Sequence, residues 1–252
     1  MIKYFCCSDI HSFYAEWLLA LNKLNFNIED SEHHIIICGD LFDRGPDTVK
    51  CYDFVKHLAE QNRLHYVRGN HEDLLEDLIM SIYRNSATES YHLHNGTLDT
   101  LAQLMSCHSS EVTYYHPQFK NICTDLLMFI NQNCVDYFEL GDTVFVHGYV
   151  PSVEPSWRDG DWVNARWVNG IDAWRTYGTP ENKKVVCGHW HCSYAWSHVE
   201  HKYKEFPQPT HEDFNHSFKP YIKDTFIALD ACTAYSHKVN VLIFDEDGKL
   251  IS

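Results

Sequence analysis

Acids, histidines and one arginine recur in short clusters along this chain. They are Asp9 and His11, then Asp40, Asp43 and Arg44, then Asn70, His71 and Glu72, and later His147, His189 and His191. Most follow directly on an apolar run, as in "IIICGDLFDRG". Carboxylates buried together raise one another's pKa and cost stability unless cations neutralise them. Two divalent metal ions would do so, and mixed oxygen and nitrogen donors suit manganese, iron or zinc better than magnesium or calcium. Ions about 3.5–4 Å apart need one carboxylate that reaches both. Asp40 is the candidate, because Gly39 before it has no side chain to obstruct close backbone approach. Asp9 and His11 would complete one ion's shell, and Asn70, His147 and His189 the other's. Water held between the ions is then a nucleophile at neutral pH. Asp43 and His71 have the types needed for an orienting acid and a general acid. Arg44 can grip phosphate oxygens with paired donors.

Such residues must be brought to one place by regular elements. Ile2–Cys7, Ile35–Cys38 and Leu64–Val67 read as strands, each ending in one of the first three clusters. Phe13–Asn25 and Asp47–Gln61 carry apolar residues at helical spacing between them. This strand–loop–helix alternation predicts a parallel α/β sheet with its ligand site beyond the carboxyl ends of the strands. Leu74–Arg84, Thr97–Cys107 and Asn121–Asn133 predict a helical middle over about 73–135, inside a single domain spanning 1–252. Strand patterns return from Tyr137, with hairpin turns at Gly141-Asp142 and Asp247-Gly248. Val199–Asp224 is polar and reads as a long surface loop, of a length that is either mobile or covers something functional.

The formal net charge is −15 over 252 residues. That field disfavours a nucleic-acid partner. No apolar run approaches the length of a membrane-spanning helix. The ten cysteines include no CxxC pair and several lie in apolar runs, the usage expected of reduced thiols in a cytoplasmic protein.

The ordered motifs resemble those of the calcineurin-like metallophosphoesterases, and more closely the bacterial and phage branch of the phosphoprotein phosphatases. The residues that carry the resemblance are Ser8-Asp9-Ile10-His11-Ser12, Gly39 to Gly45, Gly69-Asn70-His71-Glu72, His147-Gly148 and Gly188-His189, together with "HNGTLDTL" at 94–101 and the closing "ALDACTAYSHKVNVLIFDEDGKL". The resemblance implies a four-layer αββα sandwich of two mixed sheets flanked by helices. It implies hydrolysis by direct attack of hydroxide bound to a dinuclear centre, manganese first among the metals, without a phosphoenzyme. It assigns Asp9, His11 and Asp40 to one ion and Asp40, Asn70, His147 and His189 to the other, with His71 and Asp43 as the acid pair and Arg44 on phosphate. A second phosphate-binding arginine is expected at Arg166, in "WVNARWV", with Arg158 as the rival. His191, in "GHWH", is expected as a further ligand of the first ion. The family glycines flanking Asp-x-His are Ser8 and Ser12 here, a change that negative φ would accommodate.

The reading placed first is a phosphomonoesterase of the serine/threonine protein phosphatase type, acting on a phosphorylated protein or a small phosphoester. The alternative is a dinucleoside polyphosphate (diadenosine tetraphosphate) hydrolase. A metal-bound scaffold without catalysis is a third reading, disfavoured by the presence of both Asp43 and His71. Six of the seven tryptophans lie between Trp157 and Trp196, available either to stack a substrate ring or to pack the second sheet.

Overall fold

The computed structural model describes residues 1–251. The first half alternates strands and helices: β1 (Lys3–Cys7), α1 (Tyr14–Lys23), β2 (His33–Cys38), α2 (Thr48–Glu60), β3 (Leu64–Val67) and α3 (Asn70–Tyr83). Three helices follow, α4 (Ser90–Asn95), α5 (Thr97–Leu104) and α6 (Phe119–Asn133). Then come β4 (Cys134–Val135), β5 (Phe138–Leu140), β6 (Thr143–Phe145), α7 (Trp162–Ala165), α8 (Gly170–Tyr177) and β7 (Lys184–Cys187). The last strands are β8 (Tyr221–Lys223), β9 (Phe226–Ala228) and β10 (Leu242–Phe244).

These form two five-stranded mixed sheets, ordered β10-β1-β2-β3-β4 and β5-β6-β7-β9-β8. β1, β2, β3 and β4 run parallel, with β10 antiparallel at one edge. β6, β7 and β9 run parallel between antiparallel edges. Alternation along each strand decides what lies between which layers. In β1, Phe5 and Cys7 join a core with α1, α2, α3, α5 and α6. Tyr4 and Cys6 point the other way and pack against Phe145, Val186 and Ile227 of the second sheet. The second sheet's outer face, with Val144, Val185 and Phe226, is covered by Trp157, Trp162 and Ile171. The result is the four-layer αββα sandwich. A one-residue slip in β1 would exchange its two buried faces, so register is fixed by both cores.

Local differences from the sequence reading have physical causes. α3 starts at Asn70 rather than Leu74, with Gly69 as the N-cap, so Asn70, His71 and Glu72 form a helical first turn. The segment expected as one loop over Val199–Asp224 contains the short helix Phe214–Ser217 and strand β8, which pairs antiparallel with β9. Among the described residues no helix is long and apolar enough to cross a membrane.

Candidate metal centre

Each of the six central parallel strands delivers one polar residue just past its carboxyl end. Asp9, Asp40 and Asn70 follow β1, β2 and β3, and His147, His189 and Asp230 follow β6, β7 and β9. All six are buried or nearly so. Five of them, with His11, His71, Arg44, Trp190, His191 and Cys232, line a cleft of about 270 Å³. His147 closes the set from below.

The backbone at this rim is unusual. Asp9, His11, Ser12, Asp40, Asp43, Arg44 and His189 all have φ between 50° and 74°, a region that costs a non-glycine residue about 1–2 kcal/mol. Ser12, at φ 60°, corrects the expectation of negative φ at the position of a family glycine. Cross-links between loops hold the strain: Asp9 N, His11 N and Ser12 N donate to the carbonyls of Gly39, Asp40 and Leu41 at 3.1, 3.0 and 2.7 Å. Glu72, fully buried, accepts from the backbone N–H of Gly69, Asp40 and Leu41 and from the Tyr66 hydroxyl. It thereby fixes the Asp40 loop to the first turn of α3. Gly39 is needed for close approach, because a Cβ there would lie 2.3 Å from His147 Nδ1.

Asp40 occupies the centre. Its Oδ1 lies 3.3 Å from His147 Nε2 and accepts from His71 N at 3.0 Å. Its Oδ2 faces His11 Nε2 at 3.8 Å and His71 Nε2 at 3.9 Å. Hydrogen-bond logic fixes the rings. His147 Nδ1 donates to Cys38 O at 2.8 Å, so Nε2 is turned toward Asp40 Oδ1 and Asn70 Oδ1, the latter 2.8 Å away. Two oxygens and Nε2 thus converge on one point, where a proton on the ring or a metal cation can hold them together. His11 Nδ1 likewise donates to Phe42 O at 3.0 Å and turns Nε2 toward the cleft.

Electrostatics agree with that need. Burial and the neighbouring Asp230 push Asp9 well above the usual carboxylate range, and burial raises Asp230 as well. Burial also opposes charge on Asp40, but His147, His71 and His11 hold it well below that range. His147 is buried too, yet Asp40 and Asp9 push its pKa up to about 10. Burial and His147 lower His189 to about 4. Two groups of donors, His11–Asp40–His71 and Asp40–His147–His189, each have ligand atoms within 4.8 Å of one another. The residues present fit two divalent cations that share Asp40. Asp9 lies beside them rather than within either group, its Oδ2 accepting from His189 N at 3.0 Å.

The remaining expected residues divide. Asp43 Oδ2 lies 2.7 Å from His71 Nδ1. The Arg44 guanidinium lies 3.1 Å from His11 Nε2 and 3.0 Å from His71 Nε2, so it reaches the cleft. Arg166 does not reach it. Its guanidinium is held by Asp73 at 2.8 Å and by Asp136, carboxylates distant in sequence. Arg158 is taken by Glu139 and lies over Trp157. His191 lines the cleft, but its Nδ1 accepts from Tyr194 N at 3.2 Å and its Nε2 turns to Glu205 at 3.6 Å. Of the tryptophans, Trp157, Trp162 and Trp174 pack the second sheet, whereas Trp167 and Trp190 flank His189. Sequence reasoning missed Asp230, although it follows a strand in the same way as Asp9 and Asp40.

The fold and this arrangement define a phosphoesterase. The chain belongs to the calcineurin-like phosphoesterase family, whose model matches residues 2–215. It is 27% identical over 152 residues to PrpE of Bacillus velezensis, an asymmetrical bis(5'-nucleosyl)-tetraphosphatase, covering 58% of this chain and 56% of that one. Against the Bacillus subtilis protein of the same name it is 25% identical over 205 residues, covering 75% and 79%. The chain spans about half the length of the first curated relatives it matches. In fold it is similar to a crystal structure of a proposed diadenosine tetraphosphatase, with a TM-score of 0.57 at 14% identity over 99% of this chain and 91% of that one.

Proposed function

We propose that this protein is a metal-dependent hydrolase of dinucleoside polyphosphates of the bis(5'-nucleosyl)-tetraphosphate class. The observation that carries this reading is the similarity to the Bacillus subtilis tetraphosphatase over three quarters of the chain. It takes precedence over the phosphomonoesterase reading, because the shared motifs distinguish neither substrate.

When bound, two divalent cations would neutralise the buried acids, polarise a phosphoryl oxygen and lower the pKa of water. Asp9, His11 and Asp40 would hold one, and Asp40, Asn70, His147 and His189 the other. Manganese, iron and zinc all suit these donors. Arg44 offers paired N–H donors to the non-bridging oxygens of the phosphoryl group under attack. Asp43 keeps a proton on His71 Nδ1 and stabilises the imidazolium. His71 Nε2 then passes its proton to the oxygen that leaves phosphorus as the P–O bond breaks. Trp167, half-exposed beside His189, offers a face for a nucleobase.

The test is a substrate panel after chelation and reloading with manganese, iron or zinc. Diadenosine tetraphosphate is expected to give the highest kcat/KM, with nucleoside triphosphate and monophosphate as products. Preference for a phosphoserine or phosphotyrosine peptide, with the tetraphosphate intact, would overturn the substrate class.

A further inference from the structure

The segment "HNGTLDT" at 94–100 runs from the end of α4 through Gly96 into the start of α5, in the helical middle, and supplies nothing to the two candidate cation groups. It nevertheless closes around the Asp43–Arg44 turn. Thr97 Oγ1 donates to Asp43 Oδ2 at 2.9 Å, the oxygen that faces His71. Thr100 Oγ1 donates to Asp43 Oδ1 at 2.7 Å and accepts from Asp43 N at 3.1 Å, so it grips both ends of the same residue. Gly96 lies against Arg44: a Cβ there would stand 2.6 Å from Arg44 N, and its own φ is 79°. Both threonines and Asp43 are completely buried.

Asp43 has φ 74°, a conformation its backbone would leave if unsupported. Its carboxylate is also out of water, and hydrogen bonds to a buried charge must be supplied by the protein. The two hydroxyls supply them, and they approach from a different element than the loop that carries Asp43. Removing them would free the carboxylate to rotate away from His71 Nδ1 without disturbing Asp40, His147 or His189.

We propose that Thr97 and Thr100 are positioning residues that lock Asp43 onto His71, so that the helical middle of the chain sets the geometry of proton delivery. The proposal rests on the acid-pair reading of His71 and Asp43 given above. Neither threonine touches the reacting atoms. Their effect passes through the Asp43 carboxylate to the orientation of one imidazole, where a misplacement of about 1 Å costs about 100-fold in rate.

The test uses the full chain loaded with diamagnetic zinc for NMR and with manganese for turnover, as Thr97→Ala, Thr100→Ala, the double variant, and Thr97→Ser and Thr100→Ser. The first readout needs no substrate: the proton NMR signal of the imidazole N–H bonded to a buried carboxylate. It should be present in the wild type, absent in His71→Asn, lost or exchange-broadened in the double alanine variant, and restored by serine. The second readout is turnover across phosphoesters of graded leaving-group basicity. The double variant should lose about 100-fold with alkyl leaving groups and only a few-fold with p-nitrophenyl phosphate, with metal content unchanged. In the His71→Asn background the same two changes should cost less than about 2-fold, because members of one unit are not additive. An unaltered N–H signal, a loss equal for all leaving groups, or full additivity with His71→Asn would overturn the proposal. A signal that responds as expected in a protein that spares dinucleoside tetraphosphates would leave this positioning role standing and defeat only the substrate reading. Thr100→Val, nearly isosteric, replaces the double variant if that fails to fold.

Discussion

Asp43 Oδ2 lies 2.7 Å from His71 Nδ1, with both side chains buried. Burial alone would lower the imidazole pKa, but Asp40 and Asp43 together carry it above the ordinary histidine value. A buried ring poised in this way can hold a proton and release it toward the cleft. His71→Asn is therefore expected to retain fold and bound metal while losing about 100- to 10,000-fold in kcat. Steady-state kinetics on protein of measured metal content checks this. Unchanged turnover would remove His71 from the acid role.

Gly39 connects the Asp40 turn to the second sheet through His147. At φ 80° and with His147 Nδ1 2.3 Å from any added Cβ, Gly39→Ala must both strain the backbone and displace a ring that donates to Cys38 O. A loss of at least about 2 kcal/mol in unfolding free energy is expected, together with weakened binding of the cation at His147 and His189. Denaturant unfolding and metal titration of the variant measure the two effects separately.

The interface between the sheets carries a pH dependence of its own. His65 Nε2 lies 3.0 Å from His34 Nδ1, and its ring stacks on Phe138 at 4.2 Å. Burial and His34 lower its pKa to about 4. Between this value and the ordinary 6.5, the unfolded chain binds a proton that the fold excludes. Stability is then full above pH 6.5 and falls as pH drops toward 4, by at most about 3 kcal/mol from this group. Urea unfolding at stepped pH should show this slope, and His65→Phe should flatten it. An equal slope in both proteins would assign the effect elsewhere.

The sequence made the strands and their polar ends legible because period-2 patterning and strand-terminal clusters are local signals. Asp40 could be placed at the centre since it alone follows the second strand directly after a glycine. What escaped depends on partners distant along the chain. Arg166 looked free until Asp73 and Asp136 were brought beside it. The Glu205 carboxylate that faces His191 comes from a loop the local motif does not include. Ser12 holds positive φ because the turn after Asp40 accepts its N–H, a constraint that residue type does not encode. Asp230 carried the same local signal as Asp9 and Asp40, but it follows a strand of the second sheet late in the chain. Thr97 and Thr100 lay in a segment that matched relatives but had no evident chemistry until Asp43 was seen between them.

The central claim is that Asp40 serves two cations, its Oδ1 turned to His147 and its Oδ2 to His11. Elemental analysis after chelation, reloading with manganese and removal of free ion tests this most directly. Two ions per chain are predicted for the wild type and fewer than one for Asp40→Asn, with the variant still folded by circular dichroism. Fewer than one ion in the wild type, or two retained in Asp40→Asn, would contradict the account.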